Sequence, residues 1–120
     1  MRIIIRKSVS PAFLAVVLIV SMILSSCTNP VPPEKTDYVG EWRSQEMYLL
    51  ILADGTVHYE RLKGGGSVEI TGPIKAFEGD DFVVGFLFIT TTFTVDRPPF
   101  QDNNEWYMVV DGVQLTRNDE

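Results

Sequence analysis

Few side chains in this chain have the type and spacing that chemistry needs, and its only histidine is the first to consider. His58 stands between Val57 and Tyr59. A metal site built on histidine needs further imidazole or thiolate ligands, but the sequence has no second histidine and a single cysteine, Cys27. Serine–histidine–aspartate catalysis needs a nucleophile in a characteristic sharp turn, and no serine has that sequence context. We therefore expect His58 to be a surface or half-buried residue.

Acidic and glycine-rich segments are the next candidates, for a cation or a phosphate. Asp80-Asp81 and Asp102-Asn103-Asn104-Glu105 lack the oxygen spacing and the glycine of an EF-hand loop, so we expect solvated turns there. Gly64-Gly65-Gly66 is followed by neither a Lys-Ser/Thr pair nor a helical pattern, and it predicts a hairpin tip instead of a phosphate cradle. The sequence thus predicts no catalytic residue, no metal and no cofactor, and the chain is not expected to be an enzyme.

Cys27 ends a segment whose composition differs from the rest. Residues 1–26 carry basic residues near the start, no acidic residue, and an apolar run at 12–24 that is shorter than the roughly 20 residues needed to span a bilayer. This is typical of a cleaved, helical secretory signal peptide. Leu24-Ser25-Ser26-Cys27 resembles the bacterial lipobox. The resemblance implies cleavage before Cys27, a diacylglycerol on its thiol and an acylated amino group, so the partner is a lipid bilayer.

The residues after the cysteine bear on where the protein resides. Thr28, instead of aspartate, follows the lipobox, and the resemblance then implies the outer membrane, facing the periplasm, if the source is Gram-negative. Residues 27–37 contain three prolines and no apolar periodicity. They predict an extended spacer that reaches about 30 Å from the bilayer.

The domain that follows, 38–120, is predicted to be all-β. Valine, isoleucine, threonine and aromatic residues dominate, and Asp54-Gly55 and Asp111-Gly112 are strong hairpin signals. We expect an antiparallel meander of about eight strands that closes into a barrel or a sandwich. Residues 82–89 are apolar on both faces, which predicts a strand that is covered on both sides or lies across an interface, with a bulge or bend at Gly85. The predicted strands lie near 39–44, 46–53, 56–62, 67–71, 73–78, 81–90, 91–96, 104–111 and 113–117, of which 81–96 could be one bent strand.

Gly40-Glu41-Trp42 gives the domain a family resemblance. The pattern is similar to the Gly-x-Trp that opens the first strand of lipocalins and of short bacterial lipocalin-like domains. The resemblance implies that Trp42 closes one end of a barrel and that an arginine near the end of the chain packs on it. Arg117 is the residue that matches, and a cation–π contact of this kind is worth about 1 kcal/mol.

Arg97-Pro98-Pro99-Phe100 is the one segment that we single out as a candidate binding loop. Its prolines stiffen the backbone, so Arg97 and Phe100 could be presented to a partner. Phe100 could equally fold back to plug the end of the barrel, and we prefer that interpretation.

Charge and architecture together favour a binding role. Three of the ten basic residues lie in residues 1–26, so the mature chain has seven against 16 acidic residues, a formal net charge of −9. This charge disfavours a nucleic-acid partner. We expect a membrane-anchored, non-enzymatic protein-binding or structural module of the envelope. Two alternatives stay open: an inhibitor of a cationic host enzyme such as lysozyme, which the charge would steer, or a carrier of a small apolar ligand.

Overall fold

The computed structural model describes residues 29–119, so the predicted signal peptide, the lipobox and Cys27 lie outside the described residues. A 3₁₀-helix at Pro33–Tyr38 precedes nine strands. The strands are β1 (Gly40–Arg43), β2 (Met47–Ile51), β3 (Thr56–Lys63), β4 (Gly66–Glu78), β5 (Asp81–Phe86), β6 (Ile89–Phe93), β7 (Val95–Asp102), β8 (Glu105–Val110) and β9 (Val113–Asn118). Between residues 29 and 119 no helix is long and apolar enough to cross a bilayer.

All nine strands form one antiparallel sheet that curls into a half-barrel. Their order is β6-β5-β4-β3-β2-β1-β9-β8-β7, so the first and last strands pair in the middle of the sheet. The two edge strands, β6 and β7, are consecutive in the chain and are separated by the single residue Thr94. The predicted all-β antiparallel meander is confirmed, with nine strands in place of about eight.

Strand boundaries differ from the prediction in three places, one of which is β7, because no predicted strand covers 97–102. The segments 67–71 and 73–78 form the single strand β4, because the fixed φ of Pro73 is compatible with extended backbone and its ring is buried. The segment 81–96 is divided earlier than expected, at a turn in which Leu87 has a φ of 51°. The bulge lies between Ile74 and Ala76 of β4, whereas Gly85 supplies the expected bend with a φ of 136°.

The concave face of the sheet holds the core. Alternation in β2 directs Met47, Leu49 and Ile51 inwards, as expected for a strand with one covered face. Phe82 and Phe93 stack on neighbouring strands with ring centroids 5.1 Å apart. No polar or charged residue is fully buried within residues 29–119. The remaining fully buried large side chains are Trp42, Val57, Val84, Met108, Val110 and Leu115.

Glu41 ties together the three strands at the junction of the two chain ends. Its carboxylate accepts hydrogen bonds from Asn118 Nδ2 at 2.9 Å, Arg43 Nε at 3.2 Å and the Tyr48 hydroxyl at 2.9 Å. These bonds, that of Asn118 first, lower the pKa of Glu41 to about 2. The carboxylate therefore stays ionised at neutral pH, and β1, β2 and β9 share one charged acceptor.

Tyr38 closes the end of the half-barrel next to the β4–β5 turn. Its ring packs edge-on against Phe77 and Phe82 at 5.3 and 6.3 Å, and its hydroxyl donates to the Asp80 carbonyl at 2.8 Å. Burial of the phenol, together with the negative charges of Asp80 and Asp81, raises the pKa of Tyr38 to about 12. The folded protein therefore strongly prefers the neutral phenol.

This raised pKa predicts a loss of stability at alkaline pH. In the unfolded chain the phenol ionises near pH 10, so its contribution is complete below pH 10 and disappears as the pH rises towards 12. Urea unfolding at pH 8 and at pH 11.5 should show a larger fall in unfolding free energy for the wild type than for Tyr38→Phe. An equal fall in both proteins would contradict the assignment.

Candidate functional site

His58 lies on β3, on the exposed surface of the sheet. Its Nδ1 atom is 3.0 Å from the Thr71 hydroxyl, which belongs to the residue directly opposite it on β4. Within the part of the chain that the structure describes, no three histidine, cysteine or carboxylate groups lie close enough together to hold a metal ion. The histidine therefore forms a cross-strand polar pair.

The acidic turns have structural partners. Asp81 Oδ1 accepts a hydrogen bond from the Val95 amide at 2.8 Å, which fastens the start of β7 to β5. Lys35 Nζ donates to the Gly79 carbonyl at 2.7 Å and lies 3.9 Å from Asp80. The turn at 102–105 joins β7 to β8, and the glycines at 64–66 form the β3–β4 hairpin tip as predicted.

Trp42 and Arg117 face each other across the β1–β9 junction. The Arg117 guanidinium lies 5.7 Å from the Trp42 ring and 4.8 Å from the Trp106 ring, so the arginine contacts two aromatic side chains. The Trp42 indole donates to the Tyr38 carbonyl at 2.9 Å. A Cβ atom at Gly40 would come within 2.7 Å of Arg117 Cδ, and Gly40 has a φ of 145°. The glycine of the Gly-x-Trp pattern thus makes room for the arginine.

Arg97 and Phe100 lie on the edge strand β7, and the prediction of a loop at 97–100 is wrong. An edge strand tolerates proline because the missing N–H group need not pair with a neighbour, and β7 also has two register shifts against β8. The Arg97 guanidinium lies 3.6 Å from the Phe100 ring centroid, and Phe100 stacks on Tyr107 at 5.6 Å. Phe100 is half-buried and outside the core cluster, so the expected plug is also wrong.

The N-terminal segment packs on the domain, so the expected extended spacer is wrong for the residues that the structure describes. Val31 donates from its amide to the Ala53 carbonyl at 3.1 Å and packs against the core. Asn29 Nδ2 donates to the Ile74 carbonyl at 3.5 Å. A Cβ atom at Gly55, whose φ is 93°, would collide with the backbone carbonyl of Asn29. Proline at the first turn of the 3₁₀-helix favours this compact path over an extended one.

Among residues 29–119, the most exposed apolar surface is the tip of the β5–β6 hairpin. The side chains at 86–89 have exposed fractions of 58, 77, 87 and 74% in chain order. The expectation that 82–89 is covered on both faces is correct for Phe82, Val83 and Val84 and wrong beyond Gly85. The sequence carried a signal that could have revealed the tip, because no charged residue occurs anywhere in 82–95.

The two edges of the sheet differ in chemistry. β6 reads Ile-Thr-Thr-Thr-Phe, without charge or proline, and β5 is its sole neighbour among the strands of residues 29–119. β7 contains Asp96, Arg97, Pro98, Pro99 and Asp102. Charges, prolines and bulges are the devices that prevent an edge from pairing with another chain. The β7 edge is therefore blocked, and the β6 edge is open.

The open edge and the apolar tip lie near the point where the described chain begins. Asn29 contacts the Ile74 carbonyl, and the next residue, Lys75, donates from Nζ to the Leu87 carbonyl at 2.6 Å. The tip is thus connected to Asn29 through two adjacent residues of β4. Comparison of the chain with family models, with curated proteins and with solved structures found no match.

Proposed function

We propose that this protein is a lipid-anchored, non-enzymatic module of the bacterial envelope, and that it binds a partner protein by strand addition at the open edge of β6. The lipobox Leu24-Ser25-Ser26-Cys27 supports the anchor. In this proposal residues 1–26 are removed as a signal peptide. The lipid on Cys27 holds the mature chain at a membrane, which in a Gram-negative source is the outer membrane on its periplasmic side.

The contrast between the two edges is the observation that carries the binding proposal. An exposed strand without charge or proline offers a row of N–H and C=O groups to an extended segment of another protein, and its side chains add specificity. Thr90 and Thr92 of β6 are exposed. The blocked edge β7 restricts strand addition to one side of the sheet, so a single partner strand fits the molecule.

The filled interior also supports a surface-binding role over carriage of a small apolar ligand. Trp42, Leu49, Phe82 and Phe93 occupy the concave side of the half-barrel. We further propose that the fold is a lipocalin-like barrel that is left open between β6 and β7, and that Trp42 and Arg117 close it at the β1–β9 junction. Their contact across paired strands supports this assignment.

Photo-crosslinking at the two edges tests the binding proposal. p-Benzoylphenylalanine is placed at Thr92 on β6 or at Arg97 on β7, two exposed positions of one lipidated protein, and envelope preparations are irradiated. We expect one dominant crosslinked protein from Thr92 and none from Arg97, because only the β6 edge can accept a strand.

The other possible crosslinking results would contradict or change the binding proposal. Crosslinking at Arg97 alone would contradict the β6 edge and would move the interface to Arg97 and Phe100. Absence of any product at both positions would contradict a protein-binding role. Capture of a basic host enzyme at Thr92 would replace the envelope partner by the inhibitor hypothesis, for which the charge of −9 provides the attraction.

A further inference from the structure

We infer that the tip of the β5–β6 hairpin, residues 86–89, is a second membrane contact, which inserts into the acyl-chain boundary of the bilayer that holds the lipid on Cys27. The inference rests on the proposed lipid anchor and goes beyond it. It gives the domain a defined orientation, in which the tip contacts the lipid and the rest of β6 extends away from the membrane surface.

Exposure and chemistry of the tip make it suitable for lipid. Two phenylalanines, a leucine and an isoleucine occupy consecutive positions, and each side chain is more than half exposed. Folding alone gives no reason to leave such a cluster in water, because apolar groups this exposed lose the free energy of burial. Aromatic and aliphatic side chains of this kind partition into the boundary between headgroups and acyl chains.

The position of Asn29, where the described chain begins, indicates that the tip contacts the bilayer. Thr28 alone lies between Cys27 and Asn29, so the Cα atoms of Cys27 and Asn29 are at most about 7 Å apart. Asn29 Nδ2 donates to the Ile74 carbonyl at 3.5 Å, and Lys75, which follows Ile74, donates to the Leu87 carbonyl at 2.6 Å. A lipid on Cys27 therefore enters the bilayer within a short distance of the tip, and the packed N-terminal segment leaves little slack between them.

Charge allows this region to approach a membrane although the domain as a whole is acidic. The tip belongs to the uncharged run 82–95, and the amine of Lys75 lies against its backbone. Glu69 lines the cleft of about 400 Å³ beside Phe86 and Ile89. Because of this carboxylate we expect zwitterionic headgroups to be accepted more readily than anionic ones.

Depth-dependent quenching in vesicles tests the inference with a matched pair of positions. The mature lipidated protein has its only thiol blocked by lipid, so Leu87→Cys and Leu62→Cys each carry one fluorophore. Leu62 is also an exposed leucine, at 60%, but near the β3–β4 hairpin tip. In phosphatidylcholine vesicles with a quencher on the acyl chains, we expect at least threefold stronger quenching at position 87 than at position 62.

The mass of the purified protein is measured first. A chain without acyl groups would contradict the proposed lipid anchor, and this result is distinct from a failure of the membrane contact at the tip. With the lipid present, equal and weak quenching at both positions would overturn the membrane contact. The label at position 87 could instead become buried without being quenched by the lipid, to an extent that increases with the protein-to-lipid ratio. That result would mean that the tip contacts a second copy of the chain, and it would also overturn the membrane contact.

Discussion

Replacing Cys27 by serine is expected to abolish both processing before residue 27 and attachment to lipid. In the proposed anchor diacylglycerol is joined to the Cys27 thiol, which serine lacks, and the lipobox resemblance implies that cleavage depends on that lipid. Each acyl chain contributes about 0.8 kcal/mol per buried methylene, and two or three chains bind essentially irreversibly. The mass of the wild-type chain should show loss of residues 1–26 and gain of acyl groups, whereas Cys27→Ser should show neither.

Membrane fractionation measures the consequence, but it needs a form of the chain that lacks the apolar signal. Residues 28–120 exported behind a signal that the general signal peptidase removes should be found almost entirely in the soluble fraction. Ser26→Ala is the matched control, because it keeps the cysteine and a small residue before it, and it should stay with the membrane. Full processing of Cys27→Ser together with unchanged membrane attachment would refute the lipid anchor.

The local signals in the sequence predicted most of the sheet. Asp54-Gly55 and Asp111-Gly112 both mark turns between paired strands, and β8 lies within the predicted strand 104–111. These features depend on a few neighbouring residues, whose backbone preferences act at short range. Strand existence and hairpin turns were therefore accessible without the structure.

The predictions that were wrong concern residues whose structure depends on partners far away in the sequence. Pro98 and Pro99 predicted a loop because proline has no N–H group to donate a hydrogen bond to a neighbouring strand. An edge strand does not need that hydrogen bond on its open side. Whether a strand lies at the edge depends on the order of all the strands in the sheet. The prolines before Tyr38 predicted an extended spacer, whereas contacts with Ala53 and Ile74 hold the segment on the domain. Both features depend on residues that are far apart in the sequence, so neighbouring residues do not reveal them.

The apolar run 82–89 shows the same limit within one segment. Its first residues lie inside the half-barrel, and its last ones extend past Gly85, where the chain bends away. Hydrophobicity is equal along the run, so periodicity could not tell which half would be covered. The division follows from the register of β5 on β4, where Val84 is opposite Ile74.

Phe82→Ala is expected to be the most destabilising single change among the positions considered. Phe82 is fully buried, stacks on Phe93 at 5.1 Å and contacts Tyr38 and Phe77. Truncation of a buried phenylalanine costs about 3–5 kcal/mol, while a domain of this size is stable by only about 5–14 kcal/mol. Thermal unfolding followed by circular dichroism should show a midpoint lower by about 15 °C or more.

Phe88→Ala is the matched control, since it removes the same atoms from a side chain that is 87% exposed on the same hairpin. Its unfolding free energy should change by less than about 0.5 kcal/mol. Equal destabilisation by the two changes would mean that the tip is packed in solution, which would contradict both the exposed tip and the membrane contact proposed for it. A stable Phe88→Ala protein, in contrast, shows that the Phe88 ring contributes little to folding, as its exposure predicts, and supports a role for this side chain outside the folded domain.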